Sequence, residues 1–230
     1  MPSVIALIAF AGLAAVLWVA PAGAQSLAAQ CARNAGNGNV EACRQALAEQ
    51  PGDLTLRRHL AHSLAILANY PAAITVLRGI VAERPNDPQA HYDLAGLLGA
   101  IRRYTEAAAP IEAAIRLQPD NILAYQAAAV IYAQIGRMKD SVAITNRAAV
   151  LGDTASMYEM SLYYQDGIGV SASTEKAFYW TRRAAERDHV AAMQLMSAIY
   201  LEGLLGQPRD QKKAVEWAQR VRAQTILPGK

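Results

Sequence analysis

The chain has 230 residues, 53% hydrophobic and 18% charged, with a formal net charge of +3. That excess is too small to mark a nucleic-acid partner: Arg57, Arg58, Arg102 and Arg103 stand among acidic and apolar neighbours, as on a solvated helix face. The length allows one or two ordinary domains, and the composition is rich in Ala and Leu, with 2 Phe and 2 Cys.

An uncharged apolar stretch runs from Val4 to Val19, followed by Pro21, Ala22, Gly23, Ala24 and Gln25. An apolar core that ends in small residues is the pattern of a secretory signal peptide, here residues 1–24, although no Lys or Arg precedes the core. The competing reading is a retained N-terminal membrane anchor, because the stretch to Ala24 approaches the roughly 20 apolar residues that span a bilayer. No later stretch is long enough to cross. After cleavage the chain is therefore expected to have no membrane span and to reside in the periplasm or outside the cell.

Beyond residue 51 the chain repeats. Pro51, Pro85 and Pro119 lie 34 residues apart, and the next step lands on Asp153. Each proline opens a polar turn (Pro51-Gly52-Asp53, Pro85-Asn86-Asp87, Pro119-Asp120-Asn121). Proline cannot continue a helix interior and Asp or Asn can cap the next helix, so these are breaks between helices. Between the breaks, matching columns carry matching chemistry: Ala61, Ala95 and Ala129; Leu64, Leu98 and Tyr132; Tyr70, Tyr104 and Met138; Ala73, Ala107 and Ser141; Leu77, Ile111 and Thr145. Small residues at fixed places let two helices approach while larger ones fill the space beside them. Each unit reads as helix, turn, helix, with turns near Asn69, Arg102 and Gly136. These columns resemble the tetratricopeptide repeat, in three copies over residues 52–153. The third diverges most, with Ser141, Thr145 and Asp153 where Ala, a large apolar residue and Pro are usual.

After Asp153 the rhythm changes. Tyr164-x-x-Gly167-x-Gly169-Val170 is followed by Lys176-Ala177, Trp180 and Ala184-Ala185-Glu186. Met160-Ser161 recurs as Met196-Ser197, and Tyr164 as Tyr200, at a spacing of 36. Gly203, Lys213-Ala214 and Trp217 continue the second copy. This is similar to the Sel-one-like repeat, in two copies over residues 154–222, with residues 223–230 left as a tail. The second copy departs from the pattern, with Leu205 in place of the second Gly and one residue inserted before Trp217. Gly167 and Gly169 are expected to supply backbone angles that a Cβ resists. Together the two resemblances imply an all-α, right-handed superhelical solenoid of helix-turn-helix repeats, in which each pair buries its apolar face against its neighbours.

Residues 25–51 read as an N-terminal capping pair of helices, because Cys43, Ala46 and Pro51 fall 34 residues before Leu77, Ile80 and Pro85. Cys31 then lies in the first helix of that pair and Cys43 in the second. In an oxidising compartment an even cysteine count favours a Cys31–Cys43 disulfide; the alternative is two reduced, buried thiols.

No constellation resembles an active site, and no cofactor or metal is expected. Of the four histidines, His59, His62, His91 and His189, the first two lie three apart with no third ligand at suitable spacing, so that pair reads as surface histidines. Glu83, Asp87 and Asp93 cluster near one turn, where capping explains them. The resemblance instead implies protein or peptide binding on the inner face of the solenoid, which the first helix of each repeat lines. Its expected positions are Arg58, His62, Tyr92, Gly96, Gln126 and Val130, with Ile66, Ala100 and Gln134 one turn further on. That face reads as a basic edge at Arg58 and His62, an aromatic at Tyr92 and a floor at Gly96 and Gly99. The glycines imply either room for a partner or close packing of adjacent helices. The Lys and Asn set with which some tetratricopeptide domains grip a terminal carboxylate is missing, which leaves an extended peptide or a helix as occupant. The expected role is a scaffold in the bacterial cell envelope, with an accessory subunit of an envelope enzyme complex as the alternative.

Overall fold

The computed structural model describes residues 26–34 and 39–226. The segment read as a signal peptide lies outside the described residues. Among the described residues there are twelve α-helices and no strand: α1 (Leu27–Asn34), α2 (Val40–Glu49), α3 (Leu54–Ile66), α4 (Tyr70–Glu83), α5 (Pro88–Ala100), α6 (Tyr104–Leu117), α7 (Ile122–Gln134), α8 (Met138–Val150), α9 (Thr154–Asp166), α10 (Thr174–Ala185), α11 (Val190–Glu202) and α12 (Gln211–Ile226). Each helix packs on the one before it and the one after it, so the chain is an all-α solenoid of stacked helix-turn-helix units. The last helix runs on to Ile226, so the tail expected from residue 223 begins inside α12.

The polar breaks start the helices as expected. Asp53, Asp87, Asn121 and Asp153 cap α3, α5, α7 and α9, each accepting backbone N–H bonds from the first turn. Inside the units, Asn69 caps α4 in the same way. Arg103 and Arg137 hold the equivalent places before α6 and α8 and make no capping bond. Their guanidinium groups instead reach Glu106 at 2.6 Å and Asp140 at 2.7 Å, carboxylates placed in the first turn, where the helix dipole favours negative charge. The residue before each of these three positions is left-handed: Ala68 at φ 56°, Arg102 at φ 61° and Gly136 at φ 80°.

Three apolar clusters form the spine. The central one joins Ala61, Ile74, Leu77, Ile80, Leu94, Leu98, Ile111 and Tyr132, several of them column residues of the 34-residue repeat. A second joins Val142, Met157, Met160, Trp180, Met193, Met196 and Ile199. Between them the odd third-repeat residues find their explanation. Ser141 and Thr145 are almost fully buried, and their hydroxyls donate to the carbonyls of Ala129 at 2.8 Å and Ser141 at 3.0 Å. Both are satisfied inside the protein, so their burial carries no unpaired polar group.

The first 36-residue unit fastens to this seam through its turn. Gly167 ends α9 at φ 72°, and Gly169 follows at φ 67°. A Cβ on Gly169 would lie 2.8 Å from Val142 Cγ2 and 3.1 Å from the Met138 carbonyl oxygen, so the turn rests directly on α8. In the second copy Leu205 keeps a left-handed angle, φ 49°, and packs half-buried against the second cluster, with Gly206 following at φ 73°. A larger side chain is accommodated there as packing material.

At the other end, Cys31 and Cys43 form a disulfide across α1 and α2. Both are fully buried against Ala46 and Leu56, in a small cluster that ties the capping pair to α3.

Candidate binding face

The first helices of successive units carry two hollows. The first, about 460 Å³, lies between α3 and α5 and is lined mainly by apolar carbon from Ala65, Leu77, Tyr92, Leu97 and Ala100. Gly96 stands on its wall, and a Cβ there would meet nothing within 4 Å. Gly99 differs, since its Cβ would touch Ile131 Cγ1 of α7 at 4.0 Å. The two glycines thus have separate roles: Gly96 faces open space, and Gly99 lies against the next first helix.

The polar rim of this hollow corrects the sequence reading. Arg58 and His62 do line it, but not as a free basic edge. Arg58 Nη2 donates to Asp87 Oδ2 at 2.6 Å, and its Nε lies 3.2 Å from Asp93 Oδ2 without hydrogen-bond alignment. The guanidinium is therefore already neutralised from two sides. Asp87 caps α5 as expected, whereas Asp93 faces the hollow and Glu83 pairs with Arg57 at 2.6 Å. Capping accounts for only one of the three carboxylates. Burial pushes the Asp93 carboxyl above its usual range, against the hydrogen bond from Gln89 and the charge of Arg58. His62 is exposed, while His59 is half-buried and its Nδ1 takes no hydrogen bond among the described residues.

The second hollow, about 540 Å³, lies between α7 and α9, with the start of α11 at its edge. Gln126, Val130 and Gln134 line it. Gln126 Nε2 donates to Asp153 Oδ2 at 3.0 Å, tying α7 to the cap of α9, while Val130 is 57% exposed. The opposite wall comes from Tyr158, Glu159, Leu162 and Tyr163 of α9. Tyr163 donates its hydroxyl to Glu159 Oε1 at 2.7 Å. Burial first, and then the Glu159 bond, push the Tyr163 phenol up to about 12. His189 is not a free surface histidine: its Nδ1 accepts the Ala192 N–H and caps α11, and its ring stacks on Tyr158 at 4.9 Å. Burial lowers its affinity for a proton despite the nearby Asp153. Burial also works against the Asp153 anion, but hydrogen bonds from Ser156 and Gln126 outweigh it and hold that carboxyl below its ordinary range.

Arg58, His62, Tyr92, Gly96 and Ala100 thus share the first hollow, and Gln126, Val130 and Gln134 the second, while Ile66 lies outside both at 44% exposed. The α9 wall went unread because the inward positions were carried only through the three 34-residue units. A signal for it was present. Met160, a repeated column, is buried, and helical geometry puts Tyr158 and Leu162 on the opposite face. Among the described residues, no three His, Cys, Asp or Glu side chains gather as a metal site. No helix among them is long and apolar enough to cross a membrane.

Comparison with known proteins agrees with the two repeat rhythms. The family described as tetratricopeptide repeat matches residues 59–122 and 92–156, and the Sel1 repeat family matches 154–189 and 190–221. Chitin synthase regulatory factor 3 of Schizosaccharomyces pombe (strain 972 / ATCC 24843) is 41% identical over 73 residues, covering 32% of this chain and 8% of that protein. Chitin synthase regulatory factor 2 of the same organism is 36% identical over 77 residues, covering 34% of this chain and 15% of its own length. The chain therefore spans less than a sixth of either curated relative. The crystal structure of a Sel1 repeat protein from Oxalobacter formigenes superposes with a TM-score of 0.54 over 85% of this chain and 87% of that one, at 22% identity.

Proposed function

We propose that the chain, which carries tetratricopeptide and Sel1 repeats, is a scaffold for protein–protein interaction and serves as an accessory regulatory subunit of an enzyme complex. In this reading it docks a catalytic partner on the inner face, with Arg58, His62, Tyr92 and Gly96 meeting the partner in the first hollow and Gln126 and Val130 in the second. The observation that carries the proposal is the open space beside Gly96: an apolar hollow on a first helix, walled in part by a residue whose missing side chain nothing else fills. The regulatory sense comes from the curated relatives, whose names make them regulators of a synthase.

The test is to fill the hollow. Gly96→Trp places a large ring where the partner is expected, and Gly96→Ala adds only a methyl. The partner is captured from the native host by cross-linking and identified by mass spectrometry. Gly96→Trp is expected to weaken recovery at least tenfold, with Tyr92→Ala also reducing it. Gly96→Ala is expected to fold more stably by about 1 kcal/mol, since Ala outranks Gly inside a helix. Full recovery with Gly96→Trp would remove the first hollow from the interface.

The same proposal sets the protein in the periplasm or outside the cell, within a bacterial envelope complex. The buried Cys31–Cys43 disulfide supports an oxidising compartment, and so does the small-residue ending Ala22-Gly23-Ala24 of the apolar segment. Intact mass of the protein from its own host is expected to correspond to a chain that begins at Gln25. A mass that retains Met1 would replace the cleaved signal with a membrane anchor.

A further inference from the structure

We propose that the second hollow, walled by Asp153, Glu159, Tyr158 and Tyr163, receives the cationic side chain of an Arg or Lys in a partner segment. The inference rests on the inner-face reading above and specifies what that face recognises at its second position.

Charge supplies the first reason. The chain carries 22 Lys and Arg against 19 Asp and Glu, yet no Lys or Arg lines this hollow. The contrast with the first hollow is instructive. There Arg58 sits between the carboxylates of Asp87 and Asp93, whereas here Asp153, held by Ser156 and Gln126, and Glu159 have no Lys or Arg in the lining. The one titratable base present, His189, accepts an N–H at Nδ1 and is engaged as a helix cap.

Geometry supplies the second. Glu159 is held by the Tyr163 hydroxyl at Oε1, which leaves Oε2 without a hydrogen bond among the described residues. The carboxylate is thus oriented before a ligand arrives, which lowers the ordering cost of binding. The rings of Tyr163 and of Tyr158, which has one face stacked on His189, line the wall, and a guanidinium or ammonium is attracted to an open ring face as well as to the carboxylate. Arg suits the site better than Lys, because its planar fork stacks on a ring while donating to an oxygen pair. Val130 and Leu162 offer apolar surface to the aliphatic stem of either side chain.

The probe is a set of four capped hexapeptides of Ala, Ser and Gly, each carrying a single Arg, Lys, Glu or norleucine at the third position. They are titrated into the full chain at low salt, and the NMR signals of Tyr158, Tyr163 and the Glu159 amide are followed. The Arg and Lys peptides are expected to shift these signals and the other two to leave them unmoved. Glu159→Gln is expected to weaken Arg-peptide binding about tenfold, the scale of a lost charge-assisted hydrogen bond. Glu159→Lys should abolish it. Glu159 is exposed and Gln keeps an acceptor for the Tyr163 hydroxyl, so Glu159→Gln should melt like the parent and both variants should keep its helical circular dichroism. Equal shifts with the norleucine or Glu peptide overturn the proposal, as does Arg-peptide binding that survives Glu159→Lys. Failure of all four peptides to bind at millimolar concentration overturns it too. In each of these cases partner capture through Gly96 is untouched, so the inner-face reading stands or falls on its own experiment.

Discussion

Gly169→Ala is expected to destabilise the protein by about 3 kcal/mol, against about 1 kcal/mol for Gly136→Ala, as read from urea unfolding. Both glycines hold positive φ, 67° and 80°, so both substitutions force a Cβ into a left-handed backbone. What separates them is the neighbourhood. At Gly136 a Cβ would meet nothing within 4 Å, and the cost is that of the angle alone. At Gly169 the same Cβ would lie 2.8 Å from Val142 Cγ2 and 3.1 Å from a backbone oxygen of Met138. Val142 is buried, and as a β-branched residue it has few alternative rotamers. The carbonyl belongs to the first turn of α8 and cannot swing away without disturbing that helix. The turn itself must therefore lift, and with it the contact that holds the first Sel1 unit on the last tetratricopeptide unit. A Gly169→Ala variant as stable as Gly136→Ala would show that the turn does not bear on α8.

The junction also shows how far residue patterns reach. The columns at spacings of 34 and 36 led to the helix-turn-helix units because they record which faces are buried, and Ala61, Leu98, Ile111, Met160 and Met196 are indeed core residues. The inner-face positions came from the resemblance to the tetratricopeptide repeat, and of these Tyr92 and Gly96 lie beside one hollow and Gln126 and Val130 beside the other. Periodicity carries no information about which charges meet across adjacent helices. The pairing of Arg58 with Asp93, 35 positions away, is decided by side-chain reach between α3 and α5. For that reason the basic edge on paper is, in the structure, an arginine held between two carboxylates. Left-handed turns were legible where Gly stood and hidden where it did not. Arg102 and Leu205 adopt positive φ, 61° and 49°, without being Gly; Leu205 is packed half-buried there, whereas Arg102 is exposed.

Removing the disulfide is the second large effect, and its consequence is expected to be local. With the cysteines 12 positions apart in sequence, the chain-entropy model puts the stabilisation at about 3 kcal/mol. In a solenoid that free energy belongs mostly to the unit that holds the cross-link, since each unit contacts only its neighbours. The capping pair has little else to rely on. Its buried residues are Cys31, Ala42, Cys43 and Ala46, and its cluster reaches the rest of the chain through Leu56 and Leu60 of α3. Ala is the better replacement, because Ser would leave a hydroxyl at two fully buried positions. In a Cys31→Ala, Cys43→Ala chain, hydrogen exchange should show α1 and α2 losing protection while α5 to α11 keep theirs. Adding reductant to the parent should give the same pattern. Uniform loss of protection along the chain would mean that the units unfold together, and the solenoid would then have to be treated as one cooperative block.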